Sequence, residues 1–325
     1  MKFDPKKKVH NSLQPKSVDV SVITVNYNGY EDTCEMIESL RELIHSVAYE
    51  IIVIDNASKV DEAALLRKKY PFIHTVRSIW NRGFAGGNNL GASIANGKYL
   101  FFLNNDTFVK EDNFYDLIQR MESDETIGGI SPMLMYADDD RMIQYAGFTP
   151  LSRFTLRNRG IGSGEYLNER YLSPKEVPYM HGAAMFVRSD VYREVGQMPE
   201  MYFLYYEELD WSLSIRNHGY KLWYDPCCRI FHKESRSTGF DSPLKVFYLT
   251  RNRFLFAFRN RTFVERCICH LYMLLGVVPR DCVKYLWHHK KDLVRATLKG
   301  VKAYFRMTRK QKLDDYGFEY SYYLS

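Results

Sequence analysis

The chain has 325 residues, 46% of them hydrophobic. That is enough for one large α/β domain with an extension, or for two domains, and too apolar for intrinsic disorder. The formal net charge is +6, yet residues 280–312 carry eleven Lys or Arg against two Asp, so the rest is slightly acidic and the basic character is a local patch. Such a patch suits an anionic surface.

Six cysteines lack metal-ligand spacing and are expected to be free thiols in a reducing cytoplasm. Aromatics reach 15%, most of them expected in the core. The N-terminus is polar and lysine-rich, unlike a signal peptide. The longest strongly apolar run, residues 267–279, contains His270 and is shorter than the ~20 residues a membrane span needs. It reads as a buried or interfacial helix.

Residues 1–17 read as a loose basic arm. The β-branched run at 18–25 predicts a buried strand, and Met36, Ile37, Leu40, Leu43 and Ile44 share one face of a helix over 31–44. A second strand is expected over 49–54, a helix over 61–70 stopping at Pro71, and a third strand over 72–76. A glycine-rich loop then leads into a helix over 83–95, and a fourth strand follows over 98–103. This alternation predicts an α/β fold with a parallel sheet flanked by helices.

The second half is less regular. Short strand-like pieces are expected within 132–177, a strand over 177–188 and a helix over 207–217 stopped by Gly219. Short extended pieces follow at 222–224 and 229–232, and the pattern is helical from 244 onward.

Four polar clusters each follow a predicted strand: Asn26-Tyr27-Asn28, Asp55-Asn56, Asn81-Arg82-Gly83 and Asn104-Asn105-Asp106. Strand C-terminal ends in an open α/β sheet line one crevice, so these loops should converge. Asp106 can ligate a divalent cation that shares a diphosphate, or it can cap a turn. Residues 81–91 match neither a dinucleotide fingerprint nor a Walker A loop, so nicotinamide and ATP lose support. Their glycines suit phosphate approach or close helix–sheet packing. Asp55 can accept from a base or ribose, or cap the next helix. Glu207, Glu208 and Asp210 open a helix, where a carboxylate can act as a general base or merely complement the dipole. His232 and His181 are each either functional or structural.

The order of these motifs resembles the family 2 inverting glycosyltransferases of GT-A fold, in particular rhamnosyltransferase-like members that build bacterial surface polysaccharides. The resemblance covers about residues 18–239. It rests on Val22 to Asn28, Val53 to Ser58, Asn81 to Asn89, Leu103 to Thr107, Gly182 to Arg188 and Tyr206 to Asp210.

The resemblance implies a nucleotide-sugar donor (dTDP or UDP), a glycan or lipid-linked acceptor, and Mg2+ or Mn2+. It puts Thr24, Val25, Asn26, Tyr27 and Asp55 with the nucleoside, and Asn81, Arg82, Gly83, Gly87, Asn88, Asn104 and Asn105 along the donor. Asp106 and His232 would hold the metal. Glu208 would be the base, with Glu207 and Asp210 as neighbouring carboxylates, and His181, Gly182 and Trp211 would face the acceptor. The sequence departs from the family twice. Asn-Asn-Asp stands for Asp-x-Asp, and Glu stands at the base position where Asp is commoner.

The expected domains are a catalytic domain at 18–243, divided near 110 into donor and acceptor halves, and a basic helical extension at 244–325. Val283, Leu286, Trp287, Val294, Leu298, Val301 and Phe305 follow near-helical spacing among Lys and Arg. This suits peripheral attachment to the inner face of the cytoplasmic membrane, or packing on the catalytic domain with a solvated basic face. A nucleic-acid-binding protein lacks support because no groove-reading or base-stacking motif is present. A non-catalytic nucleotide-sugar-binding protein is disfavoured by the carboxylates at 207–210.

Overall fold

The computed structural model describes residues 17–233 and 242–313. Nearly all of the expected basic arm, and the end of the extension past residue 313, lie outside the described residues.

The first third alternates as the hydrophobic pattern dictates. β1 (Val20–Asn26), α1 (Tyr30–Leu43), β2 (Tyr49–Asp55), α2 (Glu62–Lys69), β3 (His74–Arg77), α3 (Gly83–Ala92) and β4 (Tyr99–Leu103) follow in order. Their boundaries move by a few residues at most from expectation. α2 starts where the Asp61 side chain accepts from the Ala64 N–H.

The next segment runs β5 (Thr107–Val109), α4 (Phe114–Ser123), β6 (Ile127–Tyr136), β7 (Ile143–Tyr145), β8 (Lys175–Glu176), β9 (Ala184–Arg188), α5 (Ser189–Val195), α6 (Glu207–Asn217) and β10 (Lys221–His232). One sheet runs in the order β3-β2-β1-β4-β9-β6-β10-β5, with β7 on β6 and β8 on β10. Pairings among β1 to β4 are parallel, β9 is antiparallel to both β4 and β6, and β10 is parallel to β6.

Three expectations need correction here. The region from 132 is not only short pieces, because it begins inside the ten-residue strand β6. The two extended pieces at 222–224 and 229–232 are one strand, β10. The register between β6 and β10 shifts between Asp225 and Arg229, opposite Pro132, which splits the β10 pattern in sequence. The extra residues of this shift lie in β10, where Pro226 has no N–H to give a ladder, while β6 is buried on both faces and shows no alternation at all. The strand expected over 177–188 is only β9, and residues 177–183 form the loop before it.

The extension is helical: α7 (Pro243–Asn260), α8 (Phe263–Tyr272), α9 (Val278–Trp287), α10 (Lys291–Arg306) and α11 (Arg309–Leu313). A π-helical turn, Met273–Val277, joins α8 to α9 just before Pro279. Such a turn absorbs the hydrogen bond that a helical proline cannot make. The single amphipathic helix expected over 283–305 is instead two, because the chain turns at His288–Lys290, where His289 has φ 56°. Among the described residues no helix is long and apolar enough to cross a membrane. All six cysteines are free.

Two apolar cores result. The larger lies within the sheet and its helices. The smaller joins Tyr202 and Leu209 to Phe254, Phe256, Cys269, Met273 and Tyr304 of the extension.

α3 lies close on β1 and β2 because Gly91 has no side chain. A Cβ there would stand 2.4 Å from Ile23 Cγ2 and 3.4 Å from Ile54 Cγ1. Gly91→Ala is expected to lower unfolding free energy by about 1–3 kcal/mol in urea titration. Gly276→Ala, whose Cβ meets nothing nearer than 3.8 Å, should not lower it.

Candidate active site

The strand order reverses at β1, which has β2 on one side and β4 on the other. Connections leave such a point in opposite directions and open a crevice at the strand C-terminal ends. A cleft of about 400 Å³ lies there. All four polar loops reach it, through Val25 and Tyr27, Asn56, Asn81 and Gly83, and Asn104, Asn105 and Asp106.

Asn56 fastens two of these loops together. Its Nδ2 donates to Asn81 Oδ1 and to the Gly83 carbonyl, both at 3.0 Å, and its Oδ1 accepts from the Arg82 N–H at 2.9 Å. Gly83 has φ +70°, and a Cβ there would sit 2.1 Å from the Phe203 carbonyl oxygen. The glycine loop is therefore packed against the segment that carries the carboxylates.

Several expected donor residues serve the fold and do not line the cleft. Asn26 is buried and ties α1 to the start of α2, accepting from Thr33 Oγ1 at 2.8 Å and donating to Glu62 at 2.7 Å. Gly87 faces Val25, and Asn88 donates to the Phe84 carbonyl within α3. The Arg82 guanidinium lies 4.9 Å from the Trp80 ring centroid. Thr24 and Asp55 are fully buried just beneath the crevice. Asp55 Oδ1 accepts from the Ser58 N–H, while Oδ2 makes no hydrogen bond among the described residues and has Arg77 Nε 3.6 Å away.

The carboxylate segment sits on an unusual backbone. Phe203, Tyr205 and Tyr206 have φ of 64°, 69° and 81°, a region that costs side-chain-bearing residues energy. The carbonyls of this turn face α7. Asn252 Nδ2 lies 2.9, 2.7 and 2.8 Å from the carbonyl oxygens of Tyr202, Leu204 and Tyr205. Buried Arg251 donates to the carbonyls of Met201 and Tyr202 at 2.9 and 2.6 Å. α6 then starts with Glu207 and Glu208 in the cleft.

Two sequence expectations fail here. Asp210 accepts from Tyr202 Oη at 2.8 Å, Arg259 Nε at 2.5 Å and Asn260 Nδ2 at 3.1 Å. It is a buried anchor for α7 and does not line the cleft. Trp211 is buried against Phe102 and Tyr192 and donates to the Gly196 carbonyl, so it cannot face an acceptor.

The two remaining carboxyls differ. Burial raises Glu207 well above the usual range, and the charge of Glu208 adds to this. Its Oε2 has no hydrogen-bond partner among the described residues. Burial lifts Glu208 from 4.5 to about 7. Both carboxyls are therefore held above the usual carboxylate range, chiefly by desolvation.

The β10–β5 pairing sets His232 opposite Thr107, next to Asp106. His232 Nε2 is 3.2 Å from Asp106 Oδ1, and its Nδ1 is 2.9 Å from Gln144 Oε1. The imidazole is thus held between Gln144 on one nitrogen and Asp106 on the other. Two cis ligands on one octahedral cation stand about 3 Å apart. The pair therefore fits a divalent ion whose other ligands come from a diphosphate and water. Among the described residues no group of three or more His, Cys, Asp or Glu could hold a metal alone.

His181 and Gly182 also line the cleft. Burial, then the nearby His232, hold the His181 imidazole down at about 3, so it is neutral. Its Nδ1 accepts from the Ala183 N–H at 3.2 Å, and its ring stacks on Phe148 with centroids 5.7 Å apart. The sequence reading missed Gln144, Phe148 and Lys245, which reach the cleft, and Arg251 and Asn252, which act through the backbone. Only the acidic helix start hinted that a donor cluster must exist elsewhere.

A mixed open sheet with a cleft at its reversal point, and helices on its faces, is the GT-A arrangement of nucleotide-diphospho-sugar transferases. The structure of GalNAc-T7 with UDP, GalNAc and Mn2+ superposes with a TM-score of 0.58 at 17% identity, over 75% of this chain and 50% of that one, so this chain spans half its length. Residues 21–196 match the profile of glycosyl transferase family 2, and the chain belongs to that family. It is 29% identical over 244 residues to the low-salt glycan biosynthesis hexosyltransferase Agl10 of Haloferax volcanii, covering 73% of this chain and 75% of the relative. It is 26% identical over 226 residues to rhamnosyltransferase WbbL of Escherichia coli, covering 66% and 83%.

Two outcomes follow from this geometry. A folded-state carboxyl pKa above the unfolded value favours the fold below the unfolded pKa, and that contribution is lost as pH rises through the folded one. For Glu208 the window runs from 4.5 to about 7. Glu208→Gln should therefore raise Tm relative to wild type at about pH 8 and not at about pH 4.5. Asn252→Leu should destabilise by about 1–3 kcal/mol in urea titration and expose the turn at 201–206 to protease.

Proposed function

We propose that this glycosyltransferase inverts configuration, using Glu208 as base. The donor is a dTDP- or UDP-sugar, with dTDP-rhamnose as first choice because a relative is named for rhamnosyl transfer. The acceptor is a glycan or lipid-linked glycan in cell-surface polysaccharide synthesis, met at the cytoplasmic face of a membrane. The observation that carries this reading is one cleft holding both the Asp106–His232 pair and a carboxyl that ionises near neutral pH.

In this reading Val25 and Tyr27 flank the nucleoside, and Asp55 Oδ2 is an acceptor directly beneath it. Asn81, Gly83, Asn104 and Asn105 line the donor path, and Lys245 adds a cation from α7. Asp106 and His232 would hold Mg2+ or Mn2+, which when bound offsets charge on the leaving diphosphate. Gln144 orients the His232 ring from its other nitrogen.

Glu208 takes the proton of the acceptor hydroxyl. The acceptor oxygen forms its bond to the anomeric carbon on one face while the bond to the diphosphate oxygen breaks on the other. The diphosphate leaves with the electron pair, and the configuration inverts. Burial of Glu207 disfavours a second charge in the site. Gly182 leaves room beside Glu208, where a Cβ would lie 3.8 Å from its Cγ. Phe148 and His181 offer a flat face for a sugar ring.

Glu208→Gln is expected to lower transfer by about 10²–10⁴-fold while donor binding persists. Retained turnover would move the role to Glu207. Thermal shift with UDP, dTDP, GDP, ADP and NAD, each with and without Mn2+, should show a metal-dependent rise for a pyrimidine diphosphate that Asp106→Ala abolishes. A rise for NAD alone would refute the donor reading. NMR of the product anomer tests inversion directly.

A further inference from the structure

The helix formed by α8, the π turn and α9 runs through residues 263–287, about 37 Å at 1.5 Å per residue. It buries Cys269, Met273 and Val277 on one side, and α9 buries no residue at all. Its other side should be polar if it faced water. Instead Val264, Ile268, Leu271, Leu275, Val283 and Leu286 form an exposed stripe at helical spacing, with Leu275 76% exposed. Trp287, 81% exposed, stands at its end. A continuous apolar stripe of this length marks an interaction surface.

The surroundings of the stripe are basic. Residues 263–306 hold nine Lys or Arg against Glu265, Asp281 and Asp292. Each of those three carboxylates already has an arginine partner: Arg153, Arg280 and Arg295. Lys284 and Lys291 are exposed beside or just past the stripe, and Lys299 and Lys302 are exposed on α10. α10 turns Leu293, Ala296, Thr297, Gly300, Ala303 and Tyr304 inward and exposes Leu298 and Phe305, so most of the exposed apolar surface of the extension lies on α8–α9.

We propose that α8–α9 lies in the headgroup boundary of an anionic bilayer, apolar stripe inward, with the lysines meeting lipid phosphates. An indole at the stripe's end suits that boundary. A second copy of this chain is the poorer occupant, because symmetric contact would bring two strongly basic segments together. A span is excluded by the helix's own polarity. The proposal gives the lipid-linked acceptor reading a surface, but it is measured without sugar transfer, so each can fail alone.

The test is flotation of the full chain with vesicles of phosphatidylcholine, with or without phosphatidylglycerol, at low and high salt. Wild type should float with the anionic vesicles, less so at high salt, with a blue shift in tryptophan emission that Trp287→Ser removes. Leu271→Glu with Leu275→Glu should reduce vesicle binding by about tenfold or more while Tm and the nucleotide thermal shift stay unchanged. Failure of wild type to float with anionic vesicles overturns the proposal, as does undiminished floating of the double variant. A solution dimer by light scattering that the double variant splits would assign the stripe to a second copy and also overturn it.

Discussion

The carbonyls of the turn before α6 belong to no helical or strand ladder of their own, and buried carbonyls need donors. Arg251 and Asn252 of α7 supply them. Without that clamp, three residues with positive φ would relax and the start of α6 would no longer hold its carboxyls in the cleft. Asp210 adds a second tie through Arg259 and Asn260. The C-terminal helices are therefore part of the active-site architecture, and the smaller core beneath them is what keeps α7 in place.

The same economy appears on the facing wall. Gly83 admits the Phe203 carbonyl, so the glycine loop and the carboxylate turn brace one another. Asn56 closes the remaining gap between the loops after β2 and β3. The site is thus a ring of loops held by backbone hydrogen bonds, and its charged groups are few. That scarcity explains the chemistry available. A carboxyl in low-dielectric surroundings is pushed up toward neutrality.

Surface and site meet through α7. Its first turn contributes Leu244 and Lys245 to the cleft, its middle clamps the carboxylate turn, and its flanks pack against α8 and α10. A bilayer beneath α8–α9 would bring a lipid-bound acceptor to the same body that carries the base.

What the sequence alone determined was the alternation of strands and helices in the first third, the convergence of four strand-end loops, and the family. Those depend on local periodicity and on short motifs, which are legible in one chain. β10 was obscured because the bulge at Pro226 interrupts the period that reveals a strand, and β6 because burial on both faces leaves no period to read. Asp210 and Trp211 looked like site residues because they adjoin Glu208 in sequence, but only packing decides which side of α6 meets the cleft. The pairing of Asp106 with His232 depends on the β10–β5 register, and the role of Asn252 on carbonyls far away in the chain. Long-range register and the satisfaction of buried backbone groups are tertiary properties, with no signature in local composition.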